Sequence, residues 1–175
     1  MKKLFMTFVA AAALMLSACG GSGNSAAPDK GPVIPVDPSV TLDKTFEHEK
    51  FTVQYPSSVF EVESGADCML TAENGYVSMS MTYNTTGPTM GQFQTLADNV
   101  AYMKTHDANS KATLSGNFYA VKSKGTIMDE NAVVYSFGVI KEDYICIMGD
   151  FQIPAEHVAK YEKYVGAMVN SIKFK

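Results

Sequence analysis

From Tyr76 to Tyr83 the chain alternates without a break, with Val77, Met79, Met81 and Tyr83 on one side and Ser78, Ser80 and Thr82 on the other. Side chains of a strand point to opposite faces in turn, so this stretch predicts a strand with one face in a core. Strand-like stretches recur at Lys111–Ser115, Phe118–Gly125, Ala132–Ile140 and Tyr144–Phe151, separated by Gly116-Asn117, Asp129-Glu130-Asn131 and Glu142-Asp143. Connections this short, rich in turn formers, predict an antiparallel meander. Upstream, Phe51-Thr52-Val53-Gln54-Tyr55 alternates until Pro56 stops it, and Val59 to Val62 reads as a second short strand.

Two segments change period. After Gly87-Pro88, Thr89 and Gln92 form a capping-box pattern. Met90, Phe93, Leu96, Ala97, Val100 and Met103 then recur at helical spacing, which predicts a helix to about His106. At the other end Pro154 suits a first helical position and Glu156 complements the helix dipole. Val158, Tyr161, Val165, Met168, Val169 and Ile172 trace one apolar stripe there, with Lys160 and Lys163 off it. A 46% hydrophobic chain with 18% charged residues is composed like a folded domain. The expected class is α+β: an antiparallel meander with a central helix and a C-terminal helix packed on it.

The first eighteen residues stand apart. Lys2 and Lys3 precede an uncharged run, Leu4 to Leu16, that is too short to span a bilayer as one helix, which takes about 20 residues. The run closes on Leu16-Ser17-Ala18-Cys19, which resembles the lipobox of bacterial lipoproteins. The resemblance implies lipidation at the Cys19 thiol and cleavage just before it, so that 1–18 is a signal peptide and Cys19 the anchored first residue. Two or three acyl chains, at about 0.8 kcal/mol per buried CH₂, hold a protein stably on a membrane where one does not. From Gly20 to about Thr41 a Gly/Ser run gives way to Pro28, Pro32, Pro35 and Pro38, the composition of a tether, flexible and then extended. The folded domain is expected over 42–175. In enterobacteria the absence of Asp after the lipidated Cys favours the outer membrane, facing the periplasm, and here Gly20 follows Cys19.

Within 42–175 the opening Phe51-Thr-Val-Gln-Tyr-Pro56, the central helix, the meander and the ending Val169-Asn-Ser-Ile-Lys-Phe174 resemble the PsbP/Mog1-like fold, an α/β/α layering found in many small bacterial lipoproteins. Members of that family share an architecture and not a common site, so the resemblance implies a bias toward binding or accessory roles and transfers no functional residue.

Chemistry is sparse. Loss of the leader removes Lys2 and Lys3 and no acid, moving the formal charge from −4 to −6, which disfavours nucleic acid as a partner. Every basic side chain is Lys, so the bidentate guanidinium used to clamp phosphate is missing. His48, His106 and His157 belong to no metal-binding motif and read as surface or capping residues. Met79 and Met81, with Met69 and Met148 elsewhere, are soft copper(I) donors, but their strand pattern is that of a core face. Asp67, Glu73 and Asp150 read as solvated turn or strand-end carboxylates, and Tyr102, Tyr119 and Tyr164 as candidate groove or interface aromatics. With Cys19 lipidated, Cys68 and Cys146 remain, either bridged, as an oxidising compartment allows, or buried as small hydrophobes. No catalytic motif, cofactor fingerprint or metal-ligand set is legible. The reading is a membrane-anchored, non-catalytic binding module that takes an envelope protein or a small apolar ligand. The alternative is an enzyme or copper-handling protein whose site the fold assembles.

Overall fold

The segment Val77–Asn84 forms β5 with the alternation its sequence dictates: Val77, Met79 and Met81 are buried and the residues between them are not. The computed structural model describes residue 34 and residues 36–63, 68–85, 101, 111–115, 118–142 and 145–175. The leader, Cys19, most of the expected tether and, apart from Ala101, the expected helix to His106 lie outside the described residues.

The other strands are β1 (Lys44–Glu47), β2 (Phe51–Tyr55), β3 (Glu61–Val62), β4 (Met69–Ala72), β6 (Lys111–Ser115), β7 (Phe118–Ile127), β8 (Glu130–Glu142), β9 (Ile145–Pro154) and β10 (Lys173–Phe174). The helix α1 spans Val158–Asn170 after a single 3-10 turn at Ala155–His157. The strands make two antiparallel sheets, one in the order β1-β2-β10 and one in the order β3-β4-β5-β9-β8-β7-β6. The α+β class and the meander expected from β6 to β9 are what the structure has. The turn before β8 moves, however. Ile127 pairs with Glu130, so the reversal falls on Met128-Asp129, both at positive φ, and Glu130 and Asn131 continue the strand.

Register assigns each side chain a face of the larger sheet. Met79 lies opposite Phe151, and Phe151 opposite Tyr135, so these three share the face that carries the main core. The apolar stripe of α1, Tyr161, Val165, Met168 and Val169, is buried in that same core. Phe60, 2% exposed, sets its edge against the rings of Phe151, Tyr161 and Tyr164 at 5.7, 5.9 and 5.8 Å between centroids. Tyr119, Val121 and Cys146 are buried on the opposite face.

The small sheet closes the far end of the helix. Ser171 accepts a hydrogen bond from the Gln54 amide at 2.8 Å and donates to the Met168 carbonyl at 2.7 Å, joining the α1 terminus to β2. That gives the Val169 to Phe174 ending its meaning: Ser171 ties the helix off, Ile172 is buried, and Lys173-Phe174 pairs with Phe51-Thr52. Ile34, within the segment read as tether, is 7% exposed and belongs to the core. The packed region therefore reaches back beyond Leu42, because an isoleucine among prolines gains more by burial than by solvation.

Two cysteines expected as a possible pair sit apart. The Met81 amide donates to the Cys68 carbonyl, placing Cys68 beside β5 on the core face, whereas Cys146 lies opposite Asn84 across the other edge of β5. With β5 between them, adjacent strands about 4.8 Å apart and side chains on opposite faces, their Cα atoms exceed the roughly 7 Å limit for a bridge. Both are buried free thiols, and burial pushes Cys68 up to about 12 and Cys146 up to about 11. In the native protein at pH 8 neither should react with a thiol reagent, and both should react in denaturant; mass spectrometry of unreduced peptides checks that no Cys68–Cys146 linkage forms.

Close approach, more than turn geometry, fixes Gly149. A Cβ at Gly149 would stand 2.3 Å from the Ser80 carbonyl oxygen and 2.8 Å from the Phe137 ring. A backbone atom cannot step aside as a side chain can, so Gly149→Ala is expected to lower stability by about 3 kcal/mol, read as a shift in the urea midpoint without a change in slope.

Candidate functional site

The site is built outward from the β4–β5 hairpin. Asn74-Gly75 is the strongest short hairpin signal in the chain, because a type I′ turn needs positive φ at both central residues. Asn74 sits at φ 56°, ψ 36° and Gly75 at φ 91°, with the Tyr76 amide bonded to the Glu73 carbonyl at 3.2 Å. Glu73 precedes them at φ 50°, a left-handed conformation that costs a residue with a Cβ about 1–2 kcal/mol. Its carboxylate supplies the compensation. It accepts from Lys160 Nζ at 2.6 Å and from the Tyr161 hydroxyl at 2.7 Å, which joins the turn to the first part of α1. Those two bonds, Lys160 first, hold the Glu73 carboxyl below the usual carboxylate range.

A second set of the same three residue types lies on the other flank of α1. Glu162 accepts from Lys122 Nζ of β7 at 2.5 Å and from the Tyr135 hydroxyl of β8. Burial alone would raise the Glu162 carboxyl, but the Lys122 ammonium and the Tyr135 hydroxyl outweigh it and bring it lower. Tyr135, fully buried, is pushed upward by burial and then by the carboxylate beside it.

The Asn74-Gly75 turn that follows Glu73 forms one wall of a cleft of about 440 Å³ at the β3 end of the larger sheet, lined by Glu61, Val62, Glu63, Thr71, Asn74 and Gly75. Val62 and the neighbouring Tyr76 are each 43% exposed, so apolar surface flanks the acids. Glu61 lies directly opposite Thr71, which puts both side chains on one side of the sheet. Thr71 is 4% exposed, and among the described residues its hydroxyl has no hydrogen-bond partner.

The residues singled out from sequence fall elsewhere. Met79 and Met81 are core, while Met69, opposite Ser80, and Met148, opposite Thr82, lie on the other face, so the sheet divides the soft donors. His48 stacks on Phe51 at 4.5 Å and its Nδ1 accepts from the Lys50 amide at 3.1 Å; His157 lies 3.3 Å from Glu156. Tyr119 is buried over Gly138, not exposed for a groove, and Tyr164 packs on Phe60. Asp150 accepts from Ser136 within the sheet, and Glu73 is a helix clasp, so neither is a merely solvated carboxylate. His106, Asp67 and Tyr102 lie outside the described residues. Among the described residues no group of three or more His, Cys, Asp or Glu side chains gathers as a metal site. The one local signal for the cleft is Asn74-Gly75, which marks its wall; the acids at 61 and 63 join it only through the pairing of β3 with β4.

No family model matches the chain and no curated protein matches it. Among solved structures it is similar to one from Bacteroides thetaiotaomicron, with 10% identity, a TM-score of 0.46, and coverage of 71% of this chain and 45% of that one. It is also similar to the solution structure of cyanobacterial PsbP (CyanoP) from Synechocystis sp. PCC 6803, with 11% identity, a TM-score of 0.36, and coverage of 91% of this chain and 99% of that one. The chain thus spans less than half the length of the first, and no residue role is carried over from either.

Carboxylates lowered in the folded state stabilise it above their ordinary value of about 4.5 and lose that contribution as pH falls through the lowered one. Glu162→Gln is therefore expected to cost about 1 kcal/mol at pH 7, discounted for its partial exposure, and much less at pH 3. Urea unfolding of both chains at the two pH values measures the difference.

Proposed function

We propose that the protein is a lipid-anchored, non-catalytic binding module of a bacterial cell envelope. The observation that carries the reading is the apolar run closed by Leu16-Ser17-Ala18-Cys19 after Lys2-Lys3, which supplies an export signal and one thiol for lipidation. The stretch from Cys19 to the buried Ile34 reaches at most about 50 Å when fully extended, so the domain works close to its membrane. The acidic cleft beside β3 supports the binding half of the reading: it presents carboxylates, an unbonded hydroxyl and exposed apolar surface to whatever the anchor brings within range.

Cells grown with an alkyne-tagged fatty acid should label the full chain, which should sediment with membranes. Cys19→Ser should abolish the label and release the protein from the membrane fraction; label retained in that variant would refute the anchor. Capture of the tagged full chain from crosslinked envelopes should recover a partner protein above an untagged control. Recovery of nothing above that control would count against the binding half.

A further inference from the structure

We infer that the β3 cleft binds an extended, lysine- or arginine-bearing peptide segment, which joins the larger sheet as a strand outside β3. The inference rests on the binding-module reading and gives it a partner chemistry. Backbone geometry supplies the first argument. Among the described residues β3 is the terminal strand of its sheet, and the Glu63 amide bonds the Met69 carbonyl at 2.9 Å, which marks a hydrogen-bonding position and makes the neighbouring Val62–Leu70 pair a non-bonded one. The N–H and C=O of Val62 consequently point away from β4, toward an edge that no strand among the described residues covers. An added strand would take those two groups, the basis of peptide capture by sheet edges.

Side chains supply the second. Glu61 of β3 and Glu63 just after it lie two residues apart, about 7 Å between their Cα atoms, and both line the cleft with no ion pair among the described residues. Sheet edges are usually guarded by lysines that repel another strand. This edge carries carboxylates instead, which select a cationic strand and repel an acidic one. Thr71, almost wholly buried on the Glu61 side, has a hydroxyl ready to accept from the incoming ammonium or guanidinium. Val62, 43% exposed, gives apolar contact to the alternate residues of the guest. Since β3 is only two residues long, the pairing is short and its strength leans on charge, so binding weakens with salt.

The test uses the full chain in mild detergent and a fluorescein-labelled eight-residue peptide of alternating lysine and valine, with a glutamate–valine peptide as comparison, read by fluorescence anisotropy. The cationic peptide should bind at least about tenfold more tightly than the acidic one, and Glu61→Gln with Glu63→Gln should weaken it by about tenfold or more. Val62→Pro, which removes an outward N–H and no internal bond, should weaken it as much with the melting temperature unchanged. If that variant melts early, Val62→Lys keeps the backbone donor, sets a like charge at the edge and should weaken binding equally. The control pair Glu130→Gln with Glu156→Gln should leave binding unchanged. Equal loss in the control pair would mark a bulk charge effect and overturn the inference, as would binding indifferent to the Glu61 and Glu63 changes or equal affinity for the acidic peptide. Envelope capture separates the two readings: a partner still recovered with Glu61→Gln and Glu63→Gln overturns the cleft and leaves the binding module standing.

Discussion

Burial of one face of the larger sheet under α1 is the constraint on which the rest depends. Helical geometry turns consecutive residues about 100° apart, so Lys160, Tyr161 and Glu162 leave the helix in three directions. The Tyr161 ring goes into the core against Phe60, while its hydroxyl and Lys160 meet Glu73 on the β4–β5 side; Glu162 meets Lys122 and Tyr135 on the β7–β8 side. The helix is thus gripped on both flanks while its apolar stripe excludes water between them. Exposed ion pairs alone would add little, about 0–1 kcal/mol each. Here each carboxylate also bonds a buried or half-buried phenol, and that orders the helix about its own axis.

The cleft inherits this arrangement. Glu73 holds a left-handed backbone that its side chain would not choose alone, and it is kept there by contacts with a helix far along the chain. The type I′ turn beyond it presents Asn74 and Gly75 to the cleft, with Glu61 and Glu63 across from them. The left-handed turn and the first part of the helix are therefore joined through one carboxylate.

Legibility followed locality. β2 and β6 were readable to the residue, β5 to within one, and α1 by its stripe, since period and turn residues report short-range geometry. β1, β4 and β10 escaped notice. They are two to four residues long, and an element that short is stabilised by its partner strand, not by its own pattern. The site was harder to see. One acid on a two-residue strand, another just after it, a threonine opposite and a turn eleven or more residues onward mean nothing until register sets them side by side.

The sequence by itself determined the α+β class, the meander and the apolar stripe of α1, because each is written in a period or a turn within a dozen residues. It also carries the apolar run closed by Leu16-Ser17-Ala18-Cys19, on which the proposed anchor rests and which no fold is needed to read. Only the tertiary structure decided that Cys68 and Cys146 face opposite sides of the sheet, that Ile34 belongs to the core, and that Glu73 and Glu162 clasp one helix from two flanks. Those facts depend on which strands become neighbours and in what register, and a shift of one residue in a strand would turn its core side chains to the other face.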